Sequence, residues 1–580
     1  MPTKNLIILG LLIVLLLCLR LPIILFSFDH IYSDSDELSR GALAKEIIAR
    51  PMLPLFDYLE ADAEIYEGGR FLTPISIVPF FLVFGDSYFS LKLVAVFYSL
   101  VTLIFWYILL IRFFNSRIAL IWSLFFVLSP PFYTIASLVT WGTHPEYYFF
   151  TALFFIFFFK IFFQDGLEKT KARTWVLFGL LSGLSFWIIQ SNAIVLVTCF
   201  LIFFITDTRF FFKKPFLIYA LSSLVSYSPG IYHFFSRHWQ YAVSWSGILR
   251  FYSIGGIAHW LPKLSKLLLV HLPQSFMFKY TALSYFYYLV FLISLFYFLW
   301  LNRKTLFQII MFLLTPVTLK KVQLRSQSIS WELPFLLYFL LYLFIYTIGG
   351  LSVWERGEGY LDYRYTSIIY PVVFLIIAFF LNQLWELHRK KIAIVVICLF
   401  VLLGLYANIN LISFKHFTQP SKEKGYSYYE LGALVSGERS VKGMDAVLGH
   451  LRWINPQYAP DFFMGVGSGM AFFDKAVNED TNKIINLFHK ISPKYQVYFY
   501  KGWGTGLANS LLLDNLTVAL KRFKEIDVNI IEEKYKQNFY EGVGKGLIEV
   551  VEKKRTQFIL TTIDKEYLPF VTLGLKSKKR

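Results

Sequence analysis

Between Met1 and Phe414 the chain is built from apolar blocks of about 20 residues, the length a helix needs to cross the hydrocarbon core of a bilayer. Eleven of them, at 5–27, 88–111, 117–136, 146–163, 174–189, 192–206, 214–234, 281–301, 331–350, 365–384 and 392–414, read as spans. Two shorter apolar stretches, 72–84 and 305–317, read as interfacial or re-entrant segments. The first block is too long, and too closely followed by polar residues of functional type, to be a cleaved signal peptide. The expected fold class is an all-α polytopic membrane protein over 1–414, followed by a soluble α-helical repeat domain over 415–580.

Composition agrees with this reading. The chain is 56% apolar and 16% charged, against about 45–50% and roughly 25% in soluble domains. A cytosolic enzyme, a disordered chain and a disulfide-stapled secreted module are excluded. Cys18, Cys199 and Cys398 all lie inside apolar blocks and suggest neither a disulfide nor a zinc site. The net charge of +18 does not call for nucleic acid, because the basic residues of the first 414 positions gather in short loops between spans.

Those loops fix an orientation. Lys4, Arg112 with Arg117, Lys169 to Arg173, Arg209 with Lys213 and Lys214, Arg303 to Arg325, and Arg389 to Lys391 all follow an even number of crossings. By the positive-inside rule they share the cytoplasmic side with the N-terminus. The loops 28–87, 137–145, 235–280 and 351–364 then face outward, as does the tail.

The outward loops hold the chemistry. The first carries SDSDELSRG, with Asp34, Asp36, Glu37 and Arg40 directly after a span, where ionisable groups are costly unless paired or functional. One carboxylate would serve as the cap of a helix opening near Glu37, but three lie within four residues. The stretch WGTHPEYY puts His144 and Glu146 two residues apart, able to share a metal or a proton, although a lone membrane-edge histidine is more often simply hydrogen-bonded. Arg364-Tyr365 stands at a later span entrance; a guanidinium there suits a lipid phosphate, and an interfacial anchor is the alternative reading. The basic, aromatic loop 235–280 suits a segment lying on lipid headgroups. Acid, imidazole and guanidinium thus converge on one membrane face.

Asp36-Glu37 with ELSRGALAKEI, then YEGGRFLTPISIVPFFLVFGDSYFSLKLVAVFYSL, SPPFYTIASLVTWGTHPE and YRYTSIIYP, resemble the GT-C class of polyprenyl-phosphate-sugar glycosyltransferases. The branch resembled is that of protein O-mannosyltransferases and lipid A aminoarabinose transferases, over roughly residues 1–410. The resemblance implies a lipid-linked sugar donor with its phosphate held by Arg364 and Tyr365. Asp36 would act as general base toward an acceptor hydroxyl, with inversion at the anomeric carbon. Glu37, His144 and Glu146 would support the base or orient a divalent metal, for which Asp36, His144 and Glu146 are the candidates. The acceptor is a glycan, lipid or protein of the cell envelope, and the enzyme would sit in the cytoplasmic (inner) membrane. The chain departs from the aminoarabinose branch at Leu72-Thr73-Pro74, where that branch has Lys-Pro-Pro, which leaves sugar and acceptor open.

The tail repeats a glycine motif: DFFMGVGSGMAF at 461–472, YFYKGWGTGLAN at 498–509 and NFYEGVGKGLIE at 538–549. Spacings of 37 and 40 between Gly465, Gly502 and Gly542 fall in the range of helical solenoid units. The glycines either cradle a phosphate or let helices approach closely; recurrence in every unit favours packing. Competing functions are a lipid-linked glycan polymerase or ligase, a transporter and a non-catalytic scaffold. A transporter would carry midplane charges and inverted repeats of broken helices, and neither is evident.

Overall fold

In the computed structural model the chain divides by its contacts into two units, Met1–Tyr32 with Glu67–Thr418 and Ser33–Tyr66 with Gln419–Arg580. In the first unit the structure describes residues 2–26, 72–85, 88–142, 148–237, 257–276, 278, 280–314, 329–348 and 366–413. In the second it describes Glu37, Arg40, Gly41, Ala44, Ile47, Ile48, Tyr429, Gly432, Ala433, Ser436, 444–449, 451, 456–473, 489–510, 531–547, 560, 563 and 565–576. Among these residues every regular element is a helix.

The first unit contains α1 (Thr3–Phe26), α2 (Leu72–Phe84), α3 (Tyr88–Phe113), α4 (Ser116–Val127), α5 (Pro131–Ala136) and α6 (Tyr148–Phe159). It continues through α7 (Ala172–Ile188), α8 (Ala193–Thr206), α9 (Lys214–Ser226), α10 (Thr281–Leu301), α11 (Leu333–Ile348), α12 (Tyr370–Glu386) and α13 (Lys390–Ser413). Six described helices are long and apolar enough to cross a membrane, at Thr3–Leu25, Phe89–Phe113, Tyr148–Asp165, Thr281–Leu301, Ser367–Glu386 and Lys390–Leu411. Five further apolar helices, among them α2 and α4, are shorter than a full crossing.

Two expected spans are broken. The block 117–136 is α4 plus the six-residue α5, because Pro130 and Pro131 cannot continue the preceding helix: each lacks an N–H, and the ring disfavours helical backbone before it. The block 214–234 stops at Ser226 and restarts at Ser228 ahead of Pro229 and Gly230.

Aromatic rings fill the core between these helices. Trp106 stacks on Trp122 at 5.2 Å, Phe155 meets Phe335 at 4.4 Å, and Phe114 meets Phe379 at 5.0 Å, joining α3, α4, α6, α11 and α12. The two indoles also need acceptors, since a buried N–H left unmade is costly. Trp106 donates to the Tyr148 carbonyl (3.1 Å) and Trp122 to the Pro371 carbonyl (2.8 Å), both at the first turns of helices. Elsewhere small residues do the work: a methyl on Gly179 or Gly183 of α7 would overlap the backbone oxygens of Tyr219 and Ser223 on α9. Such small-residue faces allow helices to pack in lipid, where hydrophobic exclusion gives no drive.

In the second unit, α14 (Ala459–Phe473), α15 (Pro493–Ser510), α16 (Glu533–Leu547) and α17 (Leu568–Lys576) pack in succession. The glycines are the points of closest approach. A methyl on Gly502 would overlap the Met464 carbonyl of the preceding helix, and one on Gly504 the Phe539 carbonyl of the following one. The packing reading of the motif holds at these positions.

Candidate functional site

Of the residues singled out from sequence, Glu37 falls within the described residues. It is fully buried and helical, on one face with buried Arg40, Gly41 and Ala44 at helical spacing, in the unit that includes the tail. Asp36, His144, Glu146, Arg364 and Tyr365 lie outside the described residues. Among the described residues no group of three His, Cys, Asp or Glu side chains could hold a metal ion, and the candidates Asp36, His144 and Glu146 lie outside those residues.

The flanks of two of these stretches are described, and they meet. Tyr148 follows the stretch with His144 and Glu146; Ser367 stands two residues after Tyr365. The Tyr148 hydroxyl donates to Ser367 Oγ, and both residues are buried. Tyr133 of α5 lies against this pair, stacked on Tyr148 at 6.0 Å and tilted against Tyr370 at 5.7 Å. Tyr370 shares a 2.6 Å hydrogen bond with Ser275, and Tyr338 donates to the Ile368 carbonyl at 3.3 Å. α5, α6, α11 and α12 thus bring buried hydroxyls together where the 143–147 and 349–365 stretches join the helices.

A small cavity opens beside Tyr370, lined by Ser275, Phe276, Tyr288, Phe291 and Ile369. The Tyr288 hydroxyl is buried there and has no hydrogen-bond partner among the described residues.

Sequence reasoning missed Arg20. Its signal was plain, a lone arginine inside the first apolar block, and intramembrane ionisable residues carry function by default. Arg20 is fully buried in α1. Nε donates to Ser137 Oγ (2.8 Å), Nη1 to Asn408 Oδ1 (2.6 Å) and Nη2 to Ser129 Oγ (2.9 Å). All three acceptors are neutral, and among the described residues no carboxylate pairs with the guanidinium. An arginine at the centre of a spanning helix costs about 2.5–3.5 kcal/mol on insertion scales, an upper bound for Arg20, which stands toward the C-terminal end of α1. Three charge-assisted bonds at about 1.5–3 kcal/mol each offset that, so the charge is retained by neutral neighbours.

The acceptors are held in turn. Ser129 Oγ lies 2.9 Å from Thr134 Oγ1, Ser137 donates to the Thr134 carbonyl (2.6 Å), and Asn408 Nδ2 donates to the Gly404 carbonyl (2.7 Å). Gly404 lets α13 approach the end of α4, since a methyl there would overlap the Leu128 carbonyl.

These features define a helical membrane protein with a hydroxyl-lined junction at the ends of several apolar helices. Residues 72–233 match the family model of dolichyl-phosphate-mannose-protein mannosyltransferases, a family of the GT-C superfamily, and this indicates a membrane glycosyltransferase of GT-C type. No curated protein and no solved structure matches the chain.

Proposed function

We propose that the chain moves a sugar from a polyprenyl-phosphate donor to an acceptor hydroxyl at the outer face of the cytoplasmic membrane. The observation that carries this reading is the family match over 72–233, which takes in the stretch with His144 and Glu146. In the proposed reaction Asp36 removes the acceptor proton and the freed oxygen attacks the anomeric carbon from the face opposite the lipid phosphate. The bond from that carbon to the phosphate oxygen breaks, inverting the centre and leaving the charge on the phosphate. Arg364 offers paired N–H donors to that phosphate, with Tyr365 beside it, because stabilising a leaving anion is an electrostatic task. Glu37, His144 and Glu146 orient the base. A divalent metal bound by Asp36, His144 and Glu146 would add positive charge near the phosphate.

The same reading gives eleven spans, a cytoplasmic N-terminus and a tail, 415–580, that is an outward-facing α-helical repeat domain. Partners are the lipid-linked donor, membrane lipids and a glycan, lipid or protein acceptor. The matched family is named for a dolichyl-phosphate-mannose donor and a protein acceptor; for this chain the proposal extends to the donor class alone.

The test is mass spectrometry of envelope glycans, glycolipids and proteins from cells with and without the gene, with Asp36→Asn as the paired variant. A sugar present only with the native gene is expected, and Asp36→Asn should lower it by at least roughly 100-fold, the lower end for general-base loss. Near-native product from Asp36→Asn, inserted at normal level, would refute the assignment of the base.

A further inference from the structure

We propose that Arg20 is a positioning residue for transfer, acting through α5 on the tyrosine junction from which the His144–Glu146 and Arg364–Tyr365 stretches continue. The inference rests on the functional reading above, but the geometry behind it is its own. Arg20 holds α5 at both ends, Ser129 just before the helix and Ser137 just after it, through two different nitrogens of one planar group. A guanidinium is suited to this because its donors are fixed relative to each other. The third bond, to Asn408, ties the same group to α13, so α5 is referenced to two long helices.

What α5 presents from this clamp is Tyr133. Its ring lies between Tyr148, the first described residue after 143–147, and Tyr370, close after Arg364 and Tyr365. Tyr148 in turn bonds Ser367. The path from Arg20 to the helix ends that carry both stretches is therefore continuous: guanidinium, two serines, one short helix, one ring, two tyrosines. A six-residue helix that opens at Pro131, directly after Pro130, has few bonds of its own to hold its angle, so without the clamp the placement of Tyr133 rests on ring packing. Displacements of about 1 Å at reacting groups cost on the order of 100-fold in rate.

The experiment uses the full-length protein in lipid nanodiscs. Two readouts are taken on native protein and Arg20→Met: hydrogen–deuterium exchange of peptides within 128–142, 148–159 and 366–380, and turnover of decaprenyl-phosphate-mannose at varied donor concentration. The expected result is faster exchange in those peptides and a kcat per folded molecule lower by roughly 10- to 100-fold, with donor KM within about threefold. Arg20→Lys should not restore kcat, since one ammonium cannot span Ser129 and Ser137. Should Arg20→Met fail to fold, Ser129→Ala/Ser137→Ala retains the guanidinium and removes its hold on α5 together with the serines' own bonds to Thr134; it should reproduce both changes. Unchanged exchange in the three peptides overturns the proposal whatever the activity, and so does a native kcat per folded molecule. A native protein that leaves the mannosyl lipid untouched while exchange responds to Arg20→Met instead counts against mannose as the donor sugar and leaves the clamp standing.

Discussion

Arg364 and Asp36 divide the proposed chemistry between donor binding and proton removal, so their variants should separate kinetically. Arg364→Ala removes charge from the lipid phosphate in both ground and transition states. It should raise donor KM by at least roughly 10-fold, as the loss of a charge-assisted hydrogen bond does, with insertion unchanged. A donor titration with native saturation would assign Arg364 to interfacial anchoring instead. His271 gives a prediction about stability. It is buried, and burial together with nearby Lys266 lowers its imidazole from an ordinary 6.5 to about 4. The unfolded chain therefore takes up a proton between those values that the folded chain refuses, so stability should fall as pH drops from about 6.5 toward 4. His271→Leu should flatten that part of a stability–pH curve, and an unaltered slope would show that other groups produce it. Site legibility in the sequence was uneven at this scale. Charged residues at span ends stand out against apolar surroundings, whereas the Tyr133–Tyr148–Tyr370 junction looks like any aromatic-rich stretch. A tyrosine's partner is set by packing between helices far apart in sequence.

Helix existence was legible from apolar length, and helix breaks were legible only where proline marked them. Pro130-Pro131 could have been read as ending α4; the run 117–136 is apolar enough that length outweighed the prolines. The tail glycines show a finer rule. In α15 the first and third glycines, Gly502 and Gly506, meet the preceding helix at Met464 and Ser468, and the middle one, Gly504, meets the following helix at Phe539. α16 repeats this: Gly542 and Gly546 meet Lys501 and Thr505, and Gly544 meets Val571. The same register continues past both ends of the sequence motif. Gly432 meets Phe462 of the following helix, as a middle glycine does, and Gly574 meets Glu541 of the preceding one, as a first glycine does. These outer positions each keep one glycine of the set, which is why a search for three spaced glycines finds only the interior units. Gly504→Ala, which forces α15 and α16 apart, should destabilise the second unit by about 1–3 kcal/mol or more, measured by denaturant unfolding. A Gly504→Ala protein as stable as the native one would mean the helices have room that the structure does not show.

At the scale of the whole chain, the described residues between Ser33 and Tyr66, Glu37 among them, group by contacts with Gln419–Arg580 rather than with the helices on either side of them in sequence. A boundary drawn at residue 414 from composition alone could not reveal this, because hydropathy reports where a segment is solvated and not which distant segment it packs with. The consequence is a dependence between catalysis and tail. If the tail were an accessory module, a chain ending at Phe414 would retain transfer. The grouping predicts otherwise: truncation removes most of the unit in which Glu37 is buried, so Glu37 loses its packing while the aromatic core of the first unit keeps its own contacts. Transfer should then drop by at least roughly 100-fold, the scale of losing a positioned base, with the thermal transition of the membrane helices unmoved. Supplying residues 419–580 as a separate polypeptide should restore part of the activity if the two segments still associate. Full activity from the truncated chain would show that the first outward loop organises itself, and would detach the tail from the chemistry.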